Sequence, residues 1–380
     1  MIRFLDLAAQ YREIRPEIDR AIAAVIAESA YIGGRHVATF EQQFAEVAGA
    51  AHCIGVGNGT DALEIAIEAL ALPPGSEVIV PANSFIASAE AVSRGGHRVA
   101  FADVDPATCV IDVDTVRARL TPRTRAVVAV HLYGHPCDME ALMAFARTHG
   151  LAVIEDCAQA HGALCHGRPV GGWGDVGAFS FYPGKNLGAY GDGGAITTQR
   201  DDLAKRCRMI ANHGRVAKYE HEFEGRNSRL DGLQAAVLSA KLPHLPEWTQ
   251  RREAVAEVYQ HGLHGVGDLV LPVRRPWARP VHHLYVVRTV HRDALRQHLA
   301  QHGIETGIHY PTALPRLQAY RHLSAEGDAP FCCSVDGTLL SLPIGEHLTA
   351  ADAQTVVAAV RDFYATRPEA APQPELSLAR

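Results

Sequence analysis

Apolar positions along the chain follow two periods. Apolar runs of strand length at 53–57, 77–81, 98–102, 125–131 and 151–155 alternate with stretches of helical spacing at 61–70, 87–93 and 139–149. This alternation marks βαβ units and a mostly parallel sheet, and the lack of polar alternation in several runs implies burial on both faces. An amphipathic helix over about 14–28 precedes them. From 171 to 198 the helical spacing stops, and two β-like runs, 176–181 and 194–198, flank a glycine-dense loop at 183–194. A long helical region over 230–261 leads into a second pattern of strand 284–290, helix 292–302, strand 304–309 and helix 350–364. Thr349 and Asp352 read as a capping box for that last helix. The pattern predicts an α/β fold with a large domain over 1–248 and a smaller α+β domain over 249–365. The proline-rich tail, 366–380, is expected to be disordered.

Composition narrows the function classes. The 380 residues suit two or three compact units, and 47% hydrophobic with 21% charged residues lies in the globular range. A net charge of −6 supplies no broad basic field, so nucleic acid and anionic membranes are not expected partners, whereas small molecules or protein are. The 8 cysteines contain no C-x-x-C pair, which points to free thiols in a reducing cytoplasm. Asp6 interrupts the start of the chain before an apolar leader can form, and no run of 18 apolar residues follows. Neither export nor membrane spanning is expected. None of the 21 histidines falls into H-E-x-x-H, and His161 and His166 lack carboxylate or cysteine companions at ligand spacing, so no metal is expected.

Lysine occurs only at positions 185, 205, 218 and 241, the other basic residues being arginine. A lysine in a special setting therefore raises the matter of amine nucleophilicity, which arginine cannot supply. Three features bear on it. The run Gly55-Val-Gly57-Asn58-Gly59-Thr60-Asp61 follows a strand and opens a helix, so its amides can form an anion cup or merely a tight turn. Asp156 ends the apolar run 151–155, at the carboxyl edge of a buried strand where ligands of open sheets collect, or where it simply caps a turn. Its neighbour Glu155 should face the opposite side. Lys185 lies in the glycine-dense loop, as a Schiff-base amine or as a surface lysine. Taken together, a phosphate cup, a carboxylate and an amine are what pyridoxal phosphate requires.

The segments Ser180-Phe-Tyr-Pro-Gly-Lys185-Asn-Leu-Gly, Gly57-Asn-Gly-Thr-Asp, Val153-Ile-Glu-Asp156-Cys-Ala-Gln159-Ala-His161 and Asn227-Ser-Arg-Leu-Asp231 carry a specific resemblance. With them the chain resembles the DegT/DnrJ/EryC1/StrS sugar aminotransferases, pyridoxal phosphate enzymes of fold type I, over about 4–364. The resemblance implies that Lys185 binds the cofactor and shuttles the proton. It implies that Asp156 pairs with the pyridine nitrogen, Gln159 with the ring hydroxyl, and that Phe85 stacks on the ring. Gly59, Thr60 and Ser180 would hold the phosphate, with Asn227 reaching across from the second subunit of a homodimer. Tyr182, Lys218, Tyr219, His309 and Tyr310 match segments that approach the sugar nucleotide in relatives. The implied reaction moves an amino group from L-glutamate, or in some members L-glutamine, to a nucleotide-linked keto sugar. Motifs 159–162 and 180–185 look closer to members acting at C3 of dTDP-3-keto-6-deoxyhexoses than at C4. The dehydratase branch carries histidine where this chain has Lys185. Amination at C4 and a non-catalytic regulatory role remain the alternatives, while a nicotinamide enzyme would need a G-x-G-x-x-G spacing that is absent here. The segments 332–335 and 343–347 depart from the family pattern.

Overall fold

In the computed structural model, which describes residues 1–323 and 329–366, seven strands form one mixed sheet. They are β1 (His52–Val56), β2 (Glu77–Pro81), β3 (Arg98–Ala102), β4 (Thr124–Val130), β5 (Ala152–Asp156), β6 (Val176–Ser180) and β7 (Gly194–Thr198), in the order β1-β7-β6-β5-β4-β2-β3. Only β7 runs against its neighbours. The parallel strands are the expected apolar runs, and β2 is buried along its whole length, because helices cover both faces of such a sheet. Parallel pairing sets the carboxyl ends side by side, Val130 against Asp156 and Asp156 against Ala178. The loops leaving those ends carry the candidate site.

Several elements differ from the expected ones for identifiable reasons. The first helix begins earlier, at Leu7–Glu28, because Asp6 caps it by accepting from the Ala9 amide at 2.8 Å. A bend at Ile14, near Pro16, breaks its period. The helix Arg35–Val47, not expected from the sequence, buries Phe40 and Phe44. The long helical region is two helices, Gly232–Lys241 and Leu245–Leu263, joined by a 3₁₀ turn over Leu242–His244 with Pro243 and Pro246 at the junction, where missing amide donors break the ladder. The strand expected at 304–309 is not formed. The fully buried run Leu339–Leu342 takes the antiparallel pairing with Tyr285–Arg288 instead, and 304–309 is tied only by single bridges, Ile304 to Ile2 and Gly307 to Ser341. The capping box at Thr349 and Asp352 is present.

One apolar cluster lies between the large sheet and its helices, and a second surrounds Phe40, Phe44, Phe179 and Phe181. A third gathers Val255, Tyr259, Tyr285, Leu340, Val356 and Phe363. The helix Leu245–Leu263 serves several: Leu245 joins the second cluster, Trp248 packs with Ile14 and Ile18, and the residues from Val255 onward join the third. The tail expected to be disordered lies, beyond Thr366, outside the described residues. No helix among the described residues is long and apolar enough to cross a membrane.

Candidate active site

At the carboxyl end of β1 the helix Gly59–Ala69 is capped by Asn58, whose side chain accepts from the Asp61 amide at 2.8 Å. The amides of Gly59 and Thr60 stay at the helix mouth, where the macrodipole favours an anion. Ser180, ending β6, closes the other side. A Cβ on Gly59 would sit 2.6 Å from Ser180 Cβ, and one on Gly194 would sit 2.4 Å from the Asn58 carbonyl oxygen. The cup therefore exists because these two positions lack side chains. Ser228 braces it, accepting from the Gly57 amide at 2.9 Å and donating to Asp61 at 2.6 Å, and Arg226 pairs with Glu64 and Glu68 on the same helix.

Asp156 and Glu155 leave β5 on opposite sides, as the strand period requires. Asp156 is 6% exposed; its Oδ1 accepts from the Ala158 amide at 3.1 Å and its Oδ2 from Ser88 Oγ at 2.7 Å. Because the Ser88 proton goes to the carboxylate, Ser84, 2.7 Å from Ser88, donates to it in turn. Ser84 and Ser88 were not among the residues found from sequence. Their spacing of four around the start of the helix Ala87–Arg94 was the available signal, but nothing local aims them at Asp156. Glu155 is structural: His131 at 3.1 Å and the amides of Gly171, Trp173 and Gly174, each at 2.8 Å, surround its carboxylate. Burial opposes its charge, yet His131 and these amides outweigh burial and hold its pKa below the usual range.

Lys185 follows β6 in the loop whose first turn is closed by its own amide donating to the Tyr182 carbonyl at 2.8 Å. Burial lowers its pKa to about 8, against the opposing pull of the Asp156 charge. Three histidines feel the Lys185 charge, and burial keeps each neutral: His161 is lowered to about 3, His309 to about 4, and His283 well below its ordinary value. A partly neutral amine near a fixed carboxylate is a nucleophile at moderate pH.

Gln159 forms the adjoining wall. Its Oε1 accepts from the Tyr133 amide at 2.6 Å, and its Nε2 donates to Tyr310 Oη at 3.0 Å, which fixes the amide orientation and leaves a second N–H free for a ligand. Tyr133, in the left-handed region at φ 60°, donates to the His309 carbonyl at 2.6 Å and accepts from Asn83 at 3.2 Å. Burial, then the Asp156 charge, pushes the Tyr310 hydroxyl up to about 12. His309 Nδ1 lies 2.8 Å from Ser341 Oγ.

The fold thus brings Lys185, Asp156, Gln159, His309 and Tyr310 together, and separately brings Ser180 to Gly59 and Thr60. Phe85 stands 54% exposed with its ring tilted against Tyr310 at 5.8 Å, open on one face. Tyr182 is also exposed. Asn227, Lys218 and Tyr219 make no hydrogen bond or ion pair with this cluster among the described residues. Asn227 is exposed beside the braced Ser228, and Lys218 lies over the Tyr219 ring at 5.3 Å on the hairpin of Arg215–Ala217 and Glu220–His221. The fold also gives His166 carboxylate neighbours that its sequence spacing does not announce, Asp138 at 3.6 Å and Glu140 at 3.4 Å. The residues present fit pyridoxal phosphate. Open amides beside a hydroxyl suit its phosphate, the buried Asp156 its ring nitrogen, the free N–H of Gln159 its hydroxyl, and Lys185 its aldehyde.

Comparison with known proteins agrees with that fit. The sequence profile of the DegT/DnrJ/EryC1/StrS aminotransferase family matches residues 12–361. The chain is 47% identical to the dTDP-3-amino-3,4,6-trideoxy-alpha-D-glucose transaminase of Streptomyces venezuelae, over 95% of this chain and 96% of that one. It is 46% identical to the erythromycin biosynthesis sensory transduction protein EryC1 of Saccharopolyspora erythraea, over 95% of this chain and 99% of that one. The crystal structure of S. venezuelae DesV in complex with a ketimine intermediate superposes with a TM-score of 0.93 at 47% identity, covering 96% of this chain and 98% of that one. With the fold, the site and these likenesses in agreement, the chain belongs to the DegT/DnrJ/EryC1/StrS aminotransferase family and is a pyridoxal phosphate-dependent aminotransferase of fold type I.

Proposed function

We propose that this enzyme moves an amino group from L-glutamate to the C3 keto group of a nucleotide-linked, dTDP-type 3-keto-6-deoxyhexose, giving a 3-amino sugar. The observation that carries the reading is near-full-length likeness, at 47% identity, to a transaminase named for a dTDP-3-amino sugar, joined to an intact Lys185–Asp156–Gln159 cluster. Bound pyridoxal phosphate supplies an aldehyde that accepts amines and a protonated ring that draws electrons from the adjacent carbon. The chain's own residues do the rest. The Gly59 and Thr60 amides with Ser180 seat the phosphate and set the depth of the ring, while Asp156, held by Ser88 and Ala158, presents its carboxylate to the ring nitrogen. Lys185, with its pKa lowered to about 8, releases and recaptures the aldehyde carbon, takes the α proton of glutamate and returns a proton to the adjacent centre. Phe85 covers one ring face.

The exposed Asn227 supports a homodimer in which this residue completes the partner's phosphate seat. Lys218, Tyr219, Tyr182, His309 and Tyr310 form the nucleotide and sugar side, where a lysine near a diphosphate is chemically apt. We place the divide between a large cofactor domain and a small C-terminal one near residue 248.

The test is the visible absorbance of purified wild type and Lys185→Ala, before and after L-glutamate, followed by turnover of a dTDP-3-keto-6-deoxyhexose with the product resolved by NMR. Expected is a wild-type band that glutamate removes, an altered spectrum in the variant, and nitrogen on C3. No response to glutamate removes the donor assignment, and nitrogen on C4 removes the substrate assignment.

A further inference from the structure

Of the four lysines in the chain, Lys241 is the one with no exposed surface. It ends the helix Gly232–Lys241, where the macrodipole favours a cation, yet among the described residues no carboxylate stands within ion-pair distance of it. Glu346, whose charge reaches it, is already paired with the buried Arg252 at 2.8 Å and bonded by Gln10 at 2.6 Å. Burial lowers the Lys241 pKa to about 8 against the opposing pull of Glu346. An ammonium buried without its own anion is costly, and an apolar side chain would fill the space with less penalty. What this ammonium holds is a single loop. Its Nζ donates to the Gly188 carbonyl at 2.7 Å and stands over the Tyr190 ring at 4.2 Å.

That loop is the one carrying Lys185. Its neck is closed where the Ala189 amide donates to the Phe181 carbonyl at 2.8 Å. A Cβ on Gly188 would lie 2.3 Å from the Pro183 carbonyl oxygen, so the two limbs of the loop touch at 183 and 188. Next to Lys185, Asn186 donates from Nδ2 to the Val281 carbonyl at 3.0 Å, and its Oδ1 lies 3.0 Å from His283 Nδ1. Gln234 stands seven positions before Lys241, about two helical turns, and so shares its helix face. It accepts from the Tyr190 amide at 2.8 Å. Lys185 therefore projects from a closed ring of chain whose return limb, 188–190, is fastened to one helix face by an amide and by a charge.

We propose that Lys241 is a positioning residue for Lys185: its ammonium grips the Gly188 carbonyl and the Tyr190 ring, holding the return limb so that the Lys185 amine stays in place for the cofactor carbon. The inference rests on Lys185 as the lysine that captures the cofactor, and holds for any amino donor or sugar. A charge-assisted bond is stronger than the neutral ones at Asn186 and Gln234, so its loss loosens the loop and leaves the sheet intact.

Three variants of the full chain separate the contributions. Lys241→Met fills similar space without charge or donor, Lys241→Arg keeps both, and Tyr190→Leu keeps the ammonium and the Gly188 bond but removes the ring face. In cofactor-free protein, hydrogen exchange is read by mass spectrometry on peptides spanning 182–190. Expected in Lys241→Met is exchange roughly tenfold faster there and unchanged in β2, with Lys241→Arg within about threefold of wild type and Tyr190→Leu faster by about two- to fivefold. A second readout compares pyridoxal phosphate with pyridoxamine phosphate, which bears an amine in place of the aldehyde and which Lys185 cannot capture. The rate at which pyridoxal phosphate becomes fixable on Lys185 by borohydride should fall about tenfold in Lys241→Met, while the dissociation constant for pyridoxamine phosphate stays within about threefold of wild type. Wild-type exchange and capture in Lys241→Met would overturn the proposal. Equal losses for both ligands, or faster exchange throughout the sheet, would overturn it too, by making Lys241 a general support of the fold. Should neither Lys241 variant fold, wild-type exchange and capture in Tyr190→Leu would have the same force. Fixation of wild type at a lysine other than 185, identified from the labelled peptide, would instead remove the Lys185 assignment and the proposal with it.

Discussion

Gly59→Ala puts the phosphate seat to a quantitative test. The added Cβ would lie 2.6 Å from Ser180 Cβ and 3.1 Å from Ser180 Cα and Oγ. Ordinary contact begins at 3.4 Å, so helix and strand must part by about 0.8 Å, and close-packed interiors on both sides resist that shift. Overpacking of this kind costs about 1–3 kcal/mol of stability. The sharper consequence falls on the cofactor. A donor displaced by ~0.8 Å from an oxygen at ~2.9 Å lies outside hydrogen-bonding range. Loss of one bond to a charged group removes about 1.5–3 kcal/mol, a fall of roughly ten- to a hundred-fold in affinity. Spectrophotometric titration of cofactor-free protein with pyridoxal phosphate reads this directly, with inorganic phosphate as competitor. Ser180→Gly in the same background removes the clashing carbon and should recover part of the loss, less the bond given by the missing hydroxyl. A dissociation constant in Gly59→Ala within about threefold of wild type would refute the placement of the phosphate at this helix mouth.

Three further outcomes follow from the site and its supports. Ser88→Ala removes the hydroxyl that donates to Asp156 at 2.7 Å and should cost about 1.5–3 kcal/mol of the carboxylate's stabilisation, seen as a roughly tenfold or larger loss of kcat/KM and a pH-dependent cofactor spectrum; unchanged kinetics would make the serine relay irrelevant. The rate at which Lys185 captures cofactor should rise about tenfold per pH unit below its pKa of about 8 and level above it, because only the neutral amine attacks; stopped-flow absorbance across this range checks the sign and the midpoint. Glu346→Gln leaves Arg252 buried without its anion and should lower stability by about 3–5 kcal/mol in denaturant unfolding. Although burial acts most strongly on Glu346, Arg252 and Gln10 help hold its pKa below the usual range, so its stabilisation is present above the unfolded carboxylate pKa and is lost as pH falls through the lowered folded value.

What the sequence discloses and what it hides divide along a physical line. The strand at 77–81 was legible because burial on both faces writes itself as an almost continuous apolar run, Val78 to Pro81, and the ends of β5 and β6 drew attention to Asp156 and Lys185. Glu155 and Asp156 were told apart by the strand period alone. Pairing across long separations left no such trace. The sequence did not disclose that Leu339–Leu342 rather than 304–309 pairs with Tyr285–Arg288, nor that Phe40 and Phe44 mark a helix. Ser88 and Asp156 stand 68 positions apart and His283 and Asn186 97 apart. Each is a polar residue whose partner is chosen by packing, so these supports became visible only in the folded chain.

Among the described residues Asp156 is the one anion acting on Lys185, and it raises the amine's pKa against a larger lowering by burial. The same carboxylate is the group suited to a protonated pyridine nitrogen. One charge therefore has two claimants, and pairing with a ring cation screens it from the amine. The amine then loses the influence that favours its charged form while keeping the enclosure that opposes it, and its pKa falls further below about 8. Seating the cofactor thus leaves more of Lys185 in the neutral form that can accept a proton, as well as bringing it a carbon to attack. Ser88, Ser84 and the Ala158 amide matter to this coupling because they hold the Asp156 carboxylate in place while its partner changes. The neutral state of His161, His283 and His309 matters for the complementary reason: a second cation near Lys185 would drive the amine to a neutral form too weakly basic to remove the α proton. Enclosure that is costly for every charge at the site leaves one carboxylate and one amine in balance, and that balance is what an amino-group transfer uses.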